Sequence, residues 1–391
     1  MKELIYLDHA AATPVSEAAL LAMERYCREE FFNPSAPYLP AVEVRRAYEG
    51  AKEDLGRVIG AKGSEIVMTA GATESINLAF TVASSTESQN TMVLVSEIEH
   101  AAVMGAAQKV GGFQMIRVNR NGIIDLDDLK RKITGETRLV SVALVNGELG
   151  TIQPLAEISV IIEEERMRRL KEGSEVPIYL HSDASQGLGL IDVNVGRLGV
   201  DMLSLNAGKV YGPKQVGLLY VASGVRLMPV VAGGGQELGL RSGTENVAGA
   251  IGFAVAAKEA VSKMASERKR LEGLRRVLRE KLEGGISDVK FIGAEKKQLV
   301  SFLPIVVAGV DAERLIFALE KKGVLVSSGA ACSANKGKKS HVLVAIGLSD
   351  EEIGGSLRIT LGKLNDEGSV ARAAELIVEA VKNEKERVKN A

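Results

Sequence analysis

Short apolar runs with strand composition alternate with stretches of helical period through the first half of the chain. The predicted strands are residues 65–69, 92–95, 113–118, 138–145 and 177–181, and the predicted helices include residues 101–109, 126–132 and 154–170. This alternation predicts an α/β fold in which a mostly parallel sheet lies between helices. Ligands of such folds bind beyond the carboxyl ends of the strands.

Two further apolar runs, at 202–205 and 216–221, flank a group of turn-forming residues. Lys209 therefore lies on a tight loop at the end of a predicted buried strand. Burial lowers the pKa of an amine, and a neutral amine is a nucleophile toward carbonyl groups. A surface lysine on a hairpin turn is the simpler interpretation of this stretch alone. The choice between a reactive and a surface lysine therefore depends on the rest of the sequence.

Polar residues follow several of the predicted strands. They are Thr73, His100, Asn146, Asp183 and Gln186, in addition to Lys209. Gly71, Ala72 and Thr73 form a glycine turn that opens a helix, where free N–H groups and the helix dipole favour anions. A plain helix cap has the same pattern, so this turn alone does not establish an anion site.

The composition argues against several classes of partner. Of 391 residues, 46% are hydrophobic and 25% are charged, and the formal net charge is −1. We expect no direct nucleic-acid partner and no membrane, since no apolar run approaches the roughly 20 residues of a membrane span. The two cysteines indicate no disulfide framework and favour a reducing cytoplasm. We expect Cys27 to be buried on a helix, whereas Cys332 lies among turn residues as a candidate reactive thiol.

The second half of the chain predicts a smaller α/β domain. A glycine-rich loop at 233–235 precedes a long predicted helix at 247–282. Further predicted strands are residues 299–302, 324–327 and 356–361, and further helices are residues 312–321 and 366–388. We expect a large domain of residues 15–256 and a small domain formed by residues 1–14 and 257–391.

Six ordered motifs over nearly the whole chain resemble one family. They are MTAGATES, the EH of SEIEHAAV, HSDASQGLG, GKVYGPK, GGGQELGLRSGTEN and SSGAACSA, and the resemblance runs from YLDHAAATPV at the start to SLRITLGKLN near the end. The chain is similar to the cysteine desulfurases of the NifS/IscS type, which are fold-type I enzymes of the class V aminotransferase family that use pyridoxal 5′-phosphate (PLP). The resemblance implies a large domain with a mostly parallel seven-stranded sheet between helices, plus a smaller α/β domain.

The resemblance also implies how PLP is held. Lys209 would bind the cofactor aldehyde covalently, Asp183 would keep the pyridine nitrogen protonated, and His100 would stack on the ring. Gln186 would donate a hydrogen bond to the phenolic oxygen. The phosphate contacts would come from Ala72, Thr73, Asn206 and Thr244. In the family, the residue at the position of Thr244 comes from the other subunit, which implies a homodimer.

The same resemblance gives the substrate-side residues. Arg358 would bind the carboxylate of L-cysteine in a bidentate manner, with Asn33 nearby. The Cys332 thiolate would attack the substrate sulfur, and nearby lysines favour the thiolate. Alanine and a Cys332 persulfide result. The length of the loop after Cys332 matches the branch that supplies iron–sulfur scaffold proteins or tRNA-thiolation enzymes.

Three positions depart from the family pattern. Gly147 stands where the family has a cofactor-contacting asparagine, Gly208 replaces a histidine before the lysine, and Asn206 replaces a serine or threonine. The open alternatives are a selenocysteine lyase or another PLP enzyme of this fold, and a catalytically weakened relative kept as a binding subunit. The four histidines have no metal-ligand spacing with a carboxylate or thiol, so we expect no metal.

Overall fold

The computed structural model describes residues 4–83, 91–328 and 339–390. Its strands are β1 Ile5–Tyr6, β2 Ile66–Thr69, β3 Met92–Ser96, β4 Phe113–Ile116, β5 Thr137–Ser141, β6 Tyr179–Asp183, β7 Met202–Asn206, β8 Gly217–Val221, β9 Val289–Phe291, β10 Ile305–Val307, β11 Val324–Leu325, β12 Ser327–Ser328 and β13 Ser356–Arg358. Its helices are α1 Glu17–Arg28, α2 Leu39–Ile59, α3 Ala72–Phe80, α4 Ala101–Val110, α5 Leu126–Lys132, α6 Leu155–Lys171, α7 Val195–Leu198, α8 Val247–Ser262, α9 Met264–Gly285, α10 Ala312–Lys321, α11 His341–Ala345, α12 Asp350–Gly354 and α13 Glu367–Lys389.

The large sheet has seven strands in the order β2-β8-β7-β6-β5-β3-β4. Strand β8 is antiparallel to both of its neighbours, and the other pairs are parallel. The prediction of a mostly parallel seven-stranded sheet is therefore confirmed. Because β6 and β7 are parallel neighbours, their last residues, Asp183 and Asn206, lie at the same edge of the sheet.

A smaller sheet of antiparallel pairs has the order β12-β13-β10-β9, and β1 pairs with β11 in a separate two-stranded sheet. The apolar faces of α9, α10 and α13 enclose a second buried cluster that includes residues of these strands. Strand β1 belongs to this part of the fold although it begins the chain. The division into residues 15–256 and residues 1–14 with 257–391 stays a proposal.

Residues 5–13, which we call the N-terminal segment, connect the two parts. Strand β1 of this segment pairs in parallel with β11, and Asp8 forms an isolated β-bridge with Thr360. Further along, the Thr13 N–H donates to the carbonyl oxygen of Gly208 at 3.1 Å. The N-terminal segment thus runs from the small sheet to the loop that carries Lys209.

Three sequence predictions about local structure are wrong. Residues 299–302 form a turn rather than a strand, because the Phe302 N–H bonds back to the Leu299 carbonyl. The long helix predicted for 247–282 is two helices, since Lys263 leaves helical geometry with φ −100° and ψ 2°. Cys27 is exposed rather than buried, because α1 buries Ala19 and its C-terminal turn extends into solvent.

Among the described helices, none is both long and apolar enough to cross a membrane.

A buried ion pair fixes the loop that follows the glycine-rich stretch. Lys52 Nζ lies 3.3 Å from Glu237 Oε2, and both side chains are almost wholly buried. The same carboxylate accepts hydrogen bonds from the Tyr48 hydroxyl at 2.7 Å and the Met68 N–H at 2.6 Å. Glu237 adopts a positive φ of 48°, a strained backbone conformation that these contacts hold in place.

Replacing Lys52 by Met should lower the free energy of unfolding by about 3 kcal/mol, because a buried carboxylate then loses its cation. Urea unfolding measures the change. Arg28→Ala is the control, since it breaks an ion pair with Glu24 that is largely exposed and should cost less than about 0.5 kcal/mol. Equal effects of the two substitutions would contradict the assignment of Lys52 as a structural partner of Glu237.

Candidate active site

The chain turns sharply after β7, and this turn positions Lys209. A single 3-10 turn, Ala207–Lys209, follows the strand, and Lys209 is half-buried. Its amine donates to the carbonyl oxygens of Ala10 and Ala11, each at 2.7 Å. The amine is therefore held at the carboxyl edge of the sheet by two backbone acceptors of the N-terminal segment, rather than pointing into open solvent.

Asp183 and Gln186 lie at the end of the neighbouring strand. Asp183 is the last residue of β6, and its Oδ1 accepts from the Ser185 N–H at 3.0 Å. The Gln186 side chain donates to the Ala10 carbonyl at 3.1 Å, the same oxygen that accepts from Lys209. The structure thus brings the predicted carboxylate, amide and amine to one edge of the sheet.

His181 lies two residues before Asp183 and is completely buried. Its ring nitrogens bond to the hydroxyl groups of Ser141 at 2.8 Å and Ser204 at 2.9 Å. Burial lowers the pKa of His181 to about 4, although the charge of Asp183 acts in the opposite direction. The neutral ring fixes three adjacent strands to one another beneath the site.

His100 is the N-cap of α4. Its Nδ1 accepts from the Ala102 N–H at 3.1 Å, so the proton of the neutral ring is on Nε2. Removal of water by the surrounding protein lowers the pKa of His100. The charge of Asp183 raises this pKa, and the charge of Lys209 lowers it further. His100 is thus within electrostatic range of both of these predicted site residues.

The start of α3 offers free hydrogen-bond donors. Gly71, at φ 116°, opens the helix, and the N–H groups of Ala72 and Thr73 have no acceptor within the described parts of the chain. The Asn206 side-chain nitrogen lies 4.0 Å from the point where a Cβ on Gly71 would stand. Its oxygen accepts from the Gly208 N–H at 3.0 Å. The nitrogen of Asn206 therefore adds a donor beside the helix start, a site suited to a phosphate.

Arg358 is buried and lies at the junction of the N-terminal segment and β13. One terminal nitrogen, Nη2, forms an ion pair with Asp8 Oδ1 at 2.7 Å, and the other, Nη1, donates to the Gly147 carbonyl at 3.1 Å. Its Nε has no partner in the part of the chain that the structure describes. The guanidinium therefore keeps donor capacity for a carboxylate.

Two predicted site residues are not brought into this cluster. Asn33 is exposed, and its side-chain oxygen accepts from the Ser35 N–H at 2.9 Å. Thr244 is exposed, and no hydrogen bond joins it to the cluster across residues 4–83, 91–328 and 339–390. Cys332 lies outside the described residues. The described side chains contain no group of three or more histidine, cysteine, aspartate and glutamate residues placed to hold a metal ion.

The sequence does not single out two carboxyl groups at the rim of the site, of which Glu99 is buried and Glu148 is half-buried. Glu99 is completely buried, and burial raises its pKa to about 8, with a further contribution from the charge of Asp183. Its Oε1 accepts from the Ala143 N–H at 2.6 Å, and its Oε2 has no partner among the described residues. Burial raises the pKa of Glu148 to about 7. The available signal in the sequence was the position of Glu99 in the short motif SEIEH and of Glu148 in VNGELG.

These site residues lie in a chain that matches a known family along most of its length. The family model described as aminotransferase class-V covers residues 5–372. The chain belongs to the class-V aminotransferase family.

Within the class-V aminotransferases, the chain is similar to proteins named cysteine desulfurase IscS and to structures of NifS-like proteins. "Cysteine desulfurase IscS" of Dictyoglomus turgidum is 40% identical over 367 residues, which are 93% of this chain and 90% of that protein. A solved "NifS-like protein" has a TM-score of 0.89 and 31% identity, covering 97% of this chain and all of that one. The structure titled "SspA in complex with cysteine" has a TM-score of 0.78 and 32% identity, covering 91% of this chain and 98% of that one.

Glu99 should make the stability of the protein depend on pH. Its folded-state pKa lies above the value of 4.5 expected in the unfolded chain, so its contribution is present below pH 4.5 and is lost as pH rises toward about 8. Glu99→Gln cannot ionise. The difference in unfolding free energy, wild type minus Glu99→Gln, should fall steadily over this interval in urea titrations. A difference that does not change with pH would show that Glu99 ionises at its ordinary pKa.

Proposed function

We propose that this protein is a PLP-dependent cysteine desulfurase that converts L-cysteine to L-alanine and keeps the sulfur as a persulfide on Cys332. The proposal is carried by one observation: Lys209, Asp183 and Arg358 lie around one edge of the sheet in a chain whose relatives are named cysteine desulfurases. The cysteine found with the SspA structure supports L-cysteine as the substrate.

The residues at the site fit PLP. The free N–H groups of Ala72 and Thr73, with the Asn206 side-chain nitrogen, suit its phosphate, and the Asp183 carboxylate suits its pyridine nitrogen. Gln186 and His100 are the candidates for the phenolic oxygen and for stacking on the ring. When bound, PLP supplies an aldehyde that exchanges between amines and a ring that withdraws electrons from the substrate carbon.

The protein's own residues then have distinct tasks. Arg358 binds the substrate carboxylate, and we keep Asn33 as a second candidate for this contact. Lys209, once free of the cofactor, can return to the carbonyl oxygens of Ala10 and Ala11 and carry a proton to or from the substrate.

The sulfur-transfer step needs no added oxidant. The Cys332 thiolate attacks the sulfur of the substrate, a new S–S bond forms, and the C–S bond breaks. The electron pair of that bond goes to the substrate carbon, which takes up a proton and becomes the methyl group of alanine. The substrate carbon is reduced and the cysteine sulfur is oxidised, so a reductant is needed only to release the persulfide sulfur afterwards.

We also propose a homodimer in which Thr244 completes the phosphate site of the partner subunit. Exposed large apolar side chains on α1, around the start of α2 and on the loop after β8 support an interface there: Leu20, Leu21, Phe31, Tyr38, Leu39, Met228, Val230 and Leu238. The sulfur acceptor is proposed to be an iron–sulfur scaffold or a tRNA-thiolation protein. The cysteine usage supports a cytoplasmic location.

Replacing Lys209 or Cys332 by Ala should separate the two halves of the reaction. Lys209→Ala should lose the visible absorbance band of bound PLP and more than 99% of activity, about two orders of magnitude or more, because the covalent attachment is gone. Cys332→Ala should keep the band and lose persulfide formation. Absorbance spectra, alanine assays and mass spectrometry of the protein after L-cysteine addition measure these effects.

Cys27→Ala is the matched control, because Cys27 is the other thiol of the chain and is exposed on α1. It should leave the spectrum, alanine formation and the persulfide unchanged. Persulfide found on Cys27 and not on Cys332, or a protein that does not bind added PLP, would overturn the proposed function.

A weakened binding subunit is the second candidate, and the absence of a side chain at Gly147 favours it. Among the described residues, a Cβ added at Gly147 would meet only Gln186, at 3.6 Å from its Nε2 and 4.0 Å from its Cγ, which are ordinary contacts. Gly147→Asn should therefore change the free energy of unfolding by less than about 1 kcal/mol. If the missing asparagine limits turnover, kcat for alanine formation rises in this variant. An unchanged kcat in an active wild type would remove this argument for a weakened subunit.

A further inference from the structure

Glu148 contacts Ser340 and lies next to a residue that contacts Arg358. Its Oε2 accepts from the Ser340 hydroxyl at 2.6 Å. The preceding carbonyl, of Gly147, accepts from Arg358 at 3.1 Å. Arg358 is also close enough to lower the pKa of Glu148, in opposition to burial and in addition to the Ser340 hydrogen bond. Two consecutive residues thus join the substrate-binding candidate Arg358 to Ser340.

Ser340 is the N-cap of α11 and is almost completely buried. Its Oγ accepts from the Leu343 N–H at 3.2 Å, while its hydroxyl proton is donated to Glu148. The serine therefore uses its acceptor for the helix and its donor for the carboxylate. The next residue, His341, donates from Nε2 to the Glu99 carbonyl at 2.8 Å.

Apolar packing supports the same junction. Val342, Leu343 and Ile346 form a buried cluster with Ile98 and Leu149, which flank the two glutamate-bearing loops. The start of α11 is consequently fixed to the site by two hydrogen bonds and by a small core. Within this junction, the hydrogen bond between the Glu148 carboxyl group and the Ser340 hydroxyl is the contact that depends on a single pair of side chains.

Both described ends of the segment that carries Cys332 are tied to Arg358. Upstream, Ser327 of β12 pairs directly with Arg358 of β13, and Ser328 lies four residues before Cys332 in the sequence. Downstream, Ser340 lies eight residues after Cys332 and is tied to Glu148.

We propose that Glu148 is a positioning residue for sulfur transfer, fixing through Ser340 the downstream end of the Cys332 segment relative to the Arg358 carboxylate site. This inference rests on the proposed function, because it assigns a step to Cys332. Glu148 acts on the reaction through Ser340.

The test is a double-mutant cycle with Glu148→Ala, Ser340→Ala and the combined variant. Each single variant should slow persulfide formation on Cys332 about tenfold or more in a single turnover, because a hydrogen bond to a carboxylate is lost. The combined variant should be no slower than either single one, since one contact is removed in all three. The PLP absorbance band and KM for L-cysteine should stay at wild-type values, and Ser340→Thr should restore the rate.

Ser349→Ala is the matched control. Ser349 is the N-cap of α12, and its side chain accepts from the Glu352 N–H without contact to Glu148. This variant should retain the wild-type rate of persulfide formation within about twofold. A similar loss in Ser349→Ala would mean that any weakened cap slows the reaction, which overturns a specific role for Glu148.

Two further outcomes would overturn the inference. Additive effects in the combined variant would show that Glu148 and Ser340 act separately. Loss of PLP absorbance together with a raised KM in Glu148→Ala would show a general structural role. If the wild-type protein forms no persulfide on Cys332, the proposed function itself is wrong. If the wild type forms the persulfide at the same rate as the variants, the proposed function stands and only the role of Glu148 is refuted.

Discussion

The contact between the Lys209 amine and the carbonyl oxygens of Ala10 and Ala11 ties the two parts of the structure together. Lys209 follows β7 of the large sheet, whereas the N-terminal segment begins by pairing with β11 and carries Asp8 to Arg358. The candidate nucleophile and the candidate carboxylate-binding residue are therefore positioned by one stretch of backbone. A shift of the small sheet would move Arg358 and the carbonyl oxygens of the N-terminal segment with respect to Asp183 and Lys209.

Burial determines which side chains at this edge of the sheet are charged. A group that ionises in a poorly solvated place has to be paired, or its pKa changes. Arg358 is paired with Asp8, while Glu99 and Glu148 have raised pKa values because they are buried with few donors around them. The site thus combines a fixed cation for a carboxylate with carboxyl groups that change charge near neutral pH.

The sheet and the place of Lys209 were predictable because they depend on local signals. Apolar runs of strand length and the turn residues after 205 are visible in a window of about twenty residues. The pairs Asp8–Arg358 and Glu148–Ser340 were not predictable in this way, since they join residues 350 and 192 positions apart. The strand predicted at 299–302 is wrong for a different reason: buried apolar residues in a turn have the same composition as a strand. Cys27 is predicted to be buried because helical period shows which face is apolar, but it does not show that the last turn of α1 extends into solvent.

The central claim is that Lys209 binds the cofactor at this edge of the sheet, and reductive trapping tests it most directly. The protein is incubated with PLP and treated with borohydride, which makes a lysine–cofactor bond permanent, and its peptides are then analysed by mass spectrometry. We expect one phosphopyridoxyl adduct, on the peptide that contains Lys209. Excess L-cysteine added before the borohydride should lower the amount of this adduct. An adduct on another lysine, or none at saturating PLP, would contradict the account.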